Sequence, residues 1–294
     1  MRVAVVMTTF QGERWVEEQL RSVLEQTRPP DEVLVYDDGS TDRTVEIASA
    51  WAPVVRNPIR LGTVRSLEQG LRSTTADVVL LADQDDVWRP NRVERLLAVG
   101  ADLVFHDAQI IGMGSLWDRV GFTPSRQRRL ASAPLKTLLD GNPVTGATVA
   151  VSRRLLDVAL PLPQQGWHDY WLALVAASTG LSVAALPEKL IDYRLHAGNA
   201  AGLPPTGLRG RLAAASAARD HRRVLIAMLG ELGERFPSVE VDDALAHLAF
   251  RQRLSPSRAR RLVPVARHLL AHRYAAQGGG WRTAAVDVLE RRAD

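Results

Sequence analysis

Three carboxylates follow directly on an apolar segment in the first third of the chain. The run ADVVLLADQDDVWRP (76–90) contains the apolar residues Val78–Ala82 and then Asp83, Asp85 and Asp86. Like charges this close repel one another, and a carboxylate that is partly buried loses hydration that it must regain elsewhere. Two interpretations are open: the acids face water where a strand ends, or they hold a cation.

Carboxylates at a strand end suit Mg²⁺ or Mn²⁺, because these hard cations prefer oxygen ligands and often keep substrate phosphates among their ligands. A nucleotide diphosphate would then supply the ligands that the protein does not. A second acidic turn, Asp37–Asp38, follows another apolar run, and Thr8–Thr9 ends a third. Together these residues predict a site for a divalent cation and a nucleotide.

The order of the surrounding segments explains how these residues could meet. Strands are predicted at Val3–Phe10, within 31–40, near Val54–Val55 and at Val78–Ala82, with helices between them within 13–27, at Thr44–Trp51 and around Val64–Ser73. Strands that alternate with helices indicate an α/β fold with a parallel sheet. Ligands of such sheets gather at the carboxyl ends of the strands, which is where the three polar segments lie.

The second half of the chain is less regular. Strands are predicted within 101–112 and 146–160, and the second of these leads into a helix. A further helix is predicted in WHDYWLALVAAS (167–178), and two short strands broken by Pro187 within 181–196. The loops of 112–134 show no readable pattern. Prolines and glycines in HAGNAAGLPPTG (196–207) indicate a linker, and Leu208–Arg292 has helical periodicity.

Composition and motifs exclude several classes of protein. The chain of 294 residues is 46% hydrophobic and 24% charged, and it has no cysteine, which rules out disulfides and thiolate metal sites. A signal peptide and an apolar run of roughly 20 residues are both missing from the sequence, so we expect a cytoplasmic protein. No P-loop motif occurs, TTFQGERW (8–15) is not a dinucleotide fingerprint, and the match to aspartyl-phosphate hydrolases is partial.

Six motifs occur in the order that is typical of one family. They are VVMTTFQGERWVEEQLRSVLEQT, VLVYDDGSTDRT, LADQDDVWRP, VTGATVAVSRRLL, WHDYWLA and YRLHAGN, between Val3 and Asn199. This part of the chain resembles family 2 glycosyltransferases, and most of all bacterial rhamnosyltransferase-like members that build surface polysaccharides. The resemblance implies a GT-A fold, in which two abutting Rossmann-like halves share a central mixed sheet. It also implies a nucleotide-diphosphate sugar donor, a divalent cation (Mg²⁺ or Mn²⁺), inversion at the anomeric carbon and a saccharide or lipid-linked acceptor.

The resemblance assigns roles to individual residues. The donor-binding set is Thr8 and Asp38 at the nucleobase, Thr9 and Asp37 beside them, Asp83 at the ribose with Gln84 next to it, and Arg65 near the phosphates. The metal set is Asp85, which bridges to the diphosphate, and His196, which closes over both. Asp169 matches the general base, and Trp88, Trp167 and His168 are candidate contacts of the sugar or the acceptor.

These roles agree with the chemistry of glycosyl transfer. A metal ion neutralises the charge on the leaving diphosphate, and a carboxylate on the opposite face of the sugar takes the proton of the attacking hydroxyl. Structural roles remain open for Asp37, as the cap of the turn at Gly39, and for Asp169, as an acid at a helix N-terminus. Two other functions also remain open: a nucleotidyltransferase, and a catalytically inactive protein that binds nucleotide sugars.

The C-terminal region differs from the rest in charge. Residues 203–294 contain 16 arginines and 9 acidic residues, a net charge of +7 against +4 for the whole chain, which divides it into a catalytic domain at 1–202 and a helical appendage. Within 261–274, an apolar stripe is predicted at Leu262, Val265, Leu269 and Leu270, flanked by Arg261, Arg267 and Arg273. The appendage packs on the catalytic domain or on a second subunit, or it lies on the inner face of an anionic membrane. Nucleic acid is not expected, since no binding module accompanies the charge.

Overall fold

The computed structural model describes residues 1–196, 215–255, 257–271, 273–276 and 280–289. The predicted linker after His196, including Asn199 and the domain boundary at 202, lies outside the described residues. The chain divides into two compact units. The first comprises Met1–Thr123, Val144–Leu162 and Trp167–Ala201, and the second comprises Pro124–Pro143, Pro163–Gly166 and Gly202–Asp294.

The first unit is built on one mixed sheet, which has nine strands in the described residues. The strands are β1 (Val3–Thr9), β2 (Glu32–Asp37), β3 (Val54–Arg56), β4 (Val78–Ala82), β5 (Val87–Trp88), β6 (Leu103–Ile110), β7 (Gly114–Ser115), β8 (Val149–Ser152) and β9 (Val183–Tyr193). Their order across the sheet is β3-β2-β1-β4-β8-β6-β9-β5, with β7 paired to β6. The helices of this unit are α1 (Val16–Leu24), α2 (Thr44–Ser49), α3 (Thr63–Ser73), α4 (Arg92–Val99), α5 (Leu116–Val120), α8 (Arg153–Ala159) and α9 (His168–Ser178).

Strands β1, β2 and β4 form the parallel centre that the sequence predicts. Residues Val3 to Met7 are fully buried, as expected for a strand that is covered on both faces. β1 pairs with β2 through Thr9 and Asp37 and with β4 through Met7 and Ala82. The three strands therefore end at the same edge of the sheet, and the predicted convergence of their carboxyl ends is confirmed.

The prediction of two short strands around Pro187 is wrong, because β9 is one continuous strand. Its pairing with β6 passes from Leu186 opposite His106 to Lys189 opposite Asp107, so the partner strand skips Pro187 and Glu188. A proline is tolerated at such an irregularity, since its missing N–H is not needed for the ladder.

The second unit is helical in the described residues, as the periodicity of Leu208–Arg292 predicts, but the prediction of loops over 112–134 is wrong where a helix runs from Pro124 to Ser132. It contains α6 (Pro124–Ser132), α7 (Pro134–Leu139), α10 (Ala215–Arg235), α11 (Val239–Gln252), α12 (Arg258–Leu270), α13 (Arg273–Ala276) and α14 (Gly280–Leu289). Leu254, Val265, Tyr274 and Ala284 form a small core, with Phe250 packed against it. None of the described helices combines the length and the apolar character that a membrane span requires.

The apolar stripe predicted on α12 is exposed at Leu262 and Leu270 as expected but is wrong at Val265 and Leu269. Val265 is 3% exposed and belongs to the small core, and Leu269 packs against that core. Arg261, predicted to flank the stripe, is fully buried, and its Nη1 donates to the carbonyl oxygen of Asp287 at 2.9 Å. Val263, which lies outside the predicted stripe, is exposed.

Candidate active site

The acidic turn after β4 brings three carboxylates together. One oxygen from each of Asp83, Asp85 and Asp86 lies within 4.8 Å of the others, a spacing that allows them to share a metal ion. Asp85 is 7% exposed and Asp86 is fully buried. The turn therefore does not leave its acids in free solvent, which the first of the two interpretations requires.

Burial and mutual repulsion dominate the electrostatics of this cluster. Burial, with the charges of Asp85 and Asp169 added to it, raises the pKa of Asp83 to about 7. Burial and the charges of Asp83 and Asp85 raise the pKa of Asp86 well above its ordinary value. Asp86 Oδ1 accepts the Arg194 backbone N–H at 3.2 Å, whereas its buried Oδ2 has no hydrogen-bond partner among the described residues. Such an acceptor lacks a cation or a donor, and the cluster fits a divalent metal.

A buried arginine that sequence reasoning missed lies close to these acids. Arg92, at the start of α4, is fully buried; its Nε donates to His106 Nε2 at 2.9 Å and its Nη2 to the Ala147 carbonyl oxygen at 2.7 Å. Burial lowers the pKa of Arg92 to about 9, although the charges of Asp86 and Asp83 oppose this shift. The guanidinium carbon lies 3.7 Å from the ring centroid of Trp88, which is 3% exposed. Trp88 thus packs in the interior against Arg92, whose positive charge offsets part of the negative charge of the acidic turn.

His196 and Asp85, the two predicted metal ligands, are in contact. His196 Nε2 lies 2.8 Å from Asp85 Oδ2, and the imidazole stacks on Trp15 with ring centroids 5.9 Å apart. Arg194, two residues earlier, places its guanidinium 4.4 Å from the Trp15 ring and donates to Glu18 at 2.8 Å. The end of β9 is therefore held over the acidic turn by the start of α1.

Asp38 organises a polar pocket at the end of β2. Its carboxylate accepts the backbone N–H groups of Leu61 at 2.7 Å and Gly62 at 2.9 Å and the hydroxyl of Ser66 at 3.0 Å. Burial opposes ionisation, but these hydrogen bonds outweigh it and hold the pKa of Asp38 below its ordinary value. Arg60 lies 3.8 Å from the carboxylate and covers the Phe10 ring. A buried anion with an exposed cation beside it can bind a donor group such as a nucleobase N–H.

Asp37 and the neighbouring polar residues hold the loops of this pocket. Asp37 is fully buried and accepts the hydroxyls of Thr9 at 2.9 Å and Ser40 at 2.5 Å and the backbone N–H of Ser40 at 2.8 Å. Gln84 pairs with both backbone groups of Phe10, at 2.9 and 3.0 Å. Thr8 is half-buried at the end of β1. Asp37 and Gln84 thus act on the shape of the site through the backbone.

Asp169 lies at the N-terminus of α9. Its Oδ2 accepts the Gly146 backbone N–H at 3.0 Å and its Oδ1 accepts that of Tyr170 at 2.6 Å. A Cβ at Gly146 would lie 2.5 Å from His168 Nε2, so the glycine also leaves room for the imidazole. Burial lowers the pKa of His168, although the charge of Asp169 opposes this shift. Asp169 is close enough to the acidic turn for its charge to act on Asp83.

The sequence of this region matches a known family. Residues 4–143 match the family model described as "Glycosyl transferase family 2". The N-terminal part of the chain is therefore similar to family 2 glycosyltransferases.

Curated relatives of the domain are also glycosyltransferases. An uncharacterized glycosyltransferase of Nostoc sp. is 28% identical over 218 residues, which are 68% of this chain and 66% of the relative. The dTDP-rhamnosyl transferase RfbG of Shigella flexneri is 27% identical over 35% of this chain and 38% of its own length. The UDP-Glc:α-D-GlcNAc-diphosphoundecaprenol β-1,3-glucosyltransferase WfgD of Escherichia coli is 24% identical over 59% of this chain and 69% of its own length. The chain spans just under two thirds of the length of the Nostoc relative.

Solved structures show the same fold. Residues 1–349 of TarS from S. aureus, in complex with UDP-GlcNAc, superpose with a TM-score of 0.62 at 18% identity over 97% of this chain and 90% of that one. Glucosyl-3-phosphoglycerate synthase from Mycobacterium tuberculosis, with Mn²⁺, UDP and its product, gives a TM-score of 0.53 at 22% identity over 80% of both chains. The expected GT-A fold is thereby confirmed.

Two further predicted residues, Arg65 and Trp167, are partly exposed. Arg65, in the first turn of α3, donates to Glu68 at 2.8 Å, and its side chain is 41% exposed. Trp167 is half-buried and immediately precedes α9. Both side chains have the exposure that a contact with donor or acceptor requires.

Proposed function

We propose that this protein transfers a sugar from a nucleotide-diphosphate sugar to a saccharide or lipid-linked acceptor of surface polysaccharide synthesis, with inversion at the anomeric carbon. The observation that carries the proposal is the cluster of Asp83, Asp85 and Asp86, whose carboxylate oxygens lie within 4.8 Å of one another, with Asp169 near enough for its charge to act on Asp83. A general base close to a cluster that fits a metal is what in-line displacement of a diphosphate needs.

In this proposal Asp85 and His196 hold a divalent cation, Mg²⁺ or Mn²⁺, with Asp83 and Asp86 beside them. When bound, the cation neutralises negative charge on the leaving diphosphate. The unpartnered buried oxygen of Asp86 and the raised pKa values of Asp83 and Asp86 support the assignment, because a positive charge would relieve both. The structure of the M. tuberculosis synthase with Mn²⁺ and UDP supports it further.

Donor binding is proposed for the edge that β1, β2 and β4 share. Asp38 and Thr8 contact the nucleobase and Asp83 the ribose, while Asp37 and Gln84 hold the two loops in place. Arg65, at the start of α3, reaches the phosphates with its exposed guanidinium.

Asp169 acts as the general base in the proposed reaction. The Gly146 and Tyr170 backbone N–H groups fix the direction of its carboxylate, so that it accepts the proton of the acceptor hydroxyl as this attacks the anomeric carbon. Attack from the face opposite the diphosphate inverts the anomeric centre. His168 and Trp167, at the start of the same helix, are proposed to contact the sugar or the acceptor.

The relatives support specific candidates for both substrates. The match to RfbG makes dTDP-rhamnose the first donor to test, and the match to WfgD favours an acceptor linked to a lipid diphosphate. We assign catalysis to residues 1–202 and a separate role to 203–294.

A panel of dTDP-, UDP- and GDP-sugars with Mn²⁺ tests the proposal through release of the nucleoside diphosphate. We expect turnover with one class of donor and a product of inverted configuration by NMR. Failure of every donor to turn over or hydrolyse would refute transferase activity. Release of pyrophosphate from a nucleoside triphosphate and a sugar phosphate would identify a nucleotidyltransferase instead.

Asp169→Asn tests the base. Turnover should fall by about 10²–10⁴-fold, because proton transfer in the transition state is lost, while the affinity for the nucleoside diphosphate changes by no more than a few fold. Asp157→Asn, on the exposed side of α8, is the matched control and should leave turnover unchanged. Full activity of the Asp169 variant would remove this residue from the base role and make His168 the next candidate.

A further inference from the structure

The solvent face of α12 combines apolar and basic residues in separate rows. Leu262, Val263 and Leu270 are 55%, 59% and 79% exposed. At 100° per residue they fall within one arc of the helix surface, and Ala266 lies between them. Arg260 and Arg267 are exposed along one edge of this arc. We call these residues the α12 face.

The charge of the α12 face is of one sign. Residues 258–270 contain no acidic residue, and in the described part of the chain neither Arg260 nor Arg267 forms an ion pair. A helix face that is merely solvated usually carries charges of both signs at i and i+4 spacing. Here the arginines are left to bind an anion from outside the described structure.

An apolar cavity of about 550 Å³ opens beside the arginine row. Phe250, Leu254 and Pro264 line it together with Arg253 and Arg260, so that two guanidinium groups stand at an apolar recess. Exposed apolar side chains, the arginine row and the apolar cavity thus lie side by side on this helix. The cavity is open to an acyl chain.

We propose that the α12 face docks the protein onto the surface of an anionic lipid bilayer. Leu262, Val263 and Leu270 enter the interface between head groups and acyl chains, and Arg260 and Arg267 bind lipid phosphates. A second copy of this chain fits less well, because a twofold interface joins the same face of both copies and helix α12 has no acidic residue to pair with the arginines. The proposal goes beyond the sugar transfer proposed above and does not depend on it.

Co-sedimentation of the full chain with vesicles tests the proposal without any enzyme assay. We expect binding to vesicles that contain phosphatidylglycerol, no binding to pure phosphatidylcholine, and release at high salt, because screening shortens the range of the attraction. Arg260→Gln with Arg267→Gln should lower the partition coefficient about 30-fold, from the contribution of two basic residues near the surface. Leu262→Ser, Val263→Ser and Leu270→Ser together should lower it by at least about tenfold.

Two exposed positions on other helices of the same unit serve as controls. Arg223→Gln on α10 removes a charge from an exposed side chain, and Val239→Ser on α11 removes an apolar group that is 74% exposed. Both should bind vesicles like the unchanged protein. Equal binding to neutral and anionic vesicles, or no binding in low salt, would overturn the proposal. So would a shift from dimer to monomer in the triple serine variant with no change in vesicle binding, which would assign the face to self-association.

Discussion

Two buried carboxylates, one in each unit, have opposite hydrogen-bonding environments. In the helical unit, Asp287 is fully buried and accepts Arg251 Nε at 2.6 Å, Arg251 Nη2 at 3.0 Å and the Tyr274 hydroxyl at 2.8 Å. In the sheet unit, Asp86 is equally buried, but one of its oxygens has no partner among the described residues, and two further acids adjoin it.

The difference separates an acid whose acceptors are satisfied within the fold from one with an acceptor that a ligand could satisfy. A buried carboxylate that holds a fold is matched with donors when the chain folds, because an unpaired charge is costly to bury. The acidic turn remains incompletely matched, and the nearby Arg92 compensates for only part of its charge. Unmet acceptors at a strand end, more than acidity or burial alone, therefore indicate the place where a ligand must complete the structure.

The largest expected effect is on catalysis at the unmatched cluster. Asp85→Asn should lower turnover about a thousandfold, since a bound metal supplies several kcal/mol of transition-state stabilisation, and EDTA should have the same effect on the unchanged protein. Asp287→Asn should leave the turnover of folded protein unchanged. Full activity in chelator would show that the cluster does not work through a metal.

The free energy of unfolding should depend on Asp287 more than on Asp86, the reverse of the expected effect on turnover. Asp287→Ala should lower the free energy of unfolding by about 3–5 kcal/mol, because it removes the fully buried carboxylate that accepts from Arg251 and Tyr274. In metal-free protein, Asp86→Asn should cost less than about 1 kcal/mol or stabilise the fold, since it removes a repelled charge and keeps an oxygen for the Arg194 backbone N–H. Urea denaturation in EDTA measures both changes. A large loss from Asp86→Asn would contradict the distinction between the two acids.

The pH dependence of the helical unit gives a smaller effect. Burial, followed by the charge of Arg251, lowers the pKa of His247 from 6.5 to about 4, so the folded protein keeps this histidine neutral. The unfolded chain binds a proton first as the pH falls, and stability is lost between about pH 6.5 and about pH 4. Between about pH 7.5 and about pH 5, His247 should lower the free energy of unfolding by about 2 kcal/mol. Urea denaturation at the two pH values should show this loss, and His247→Gln should remove it; an unchanged slope in the variant would contradict it.

The smallest effect concerns Arg65, which shares Glu68 with Arg72. The two side chains are exposed by 41% and 52% and lie 2.8 and 2.7 Å from the carboxylate. Arg65→Ala and Arg72→Ala should each change stability by less than about 1 kcal/mol, as for other exposed pairs. Only Arg65→Ala should raise KM for the donor, by about fivefold, if Arg65 reaches the phosphates. Equal KM values for the two variants would make Arg65 a surface residue.

The sequence predicted the central strands because their signal is local. Val78–Ala82 matches β4 in both bounds, since a short apolar run between turn residues leaves little choice of structure. The error at Pro187 arose because a proline interrupts a strand only when its partner needs the missing N–H, and the register of β6 decides that.

The site was predicted in part for a similar reason. Carboxylates in quoted motifs are visible in a sequence, whereas Arg92 looks like any arginine on an amphipathic helix, and its burial depends on His106 and Ala147 from distant strands. Trp15 and Arg194 were missed likewise, because their role arises from contact with His196. The environment of these side chains depends on residues that are distant in the sequence, and hydrophobic periodicity does not predict such contacts.

Gly146 is a position at which any side chain would disturb the candidate site. Its backbone N–H donates to Asp169, and a Cβ on this residue would lie 2.5 Å from His168 Nε2. A side chain here would push the imidazole next to Asp169, while the sheet could remain intact. The glycine therefore contributes to the candidate site through the space that it leaves, although it brings no functional group.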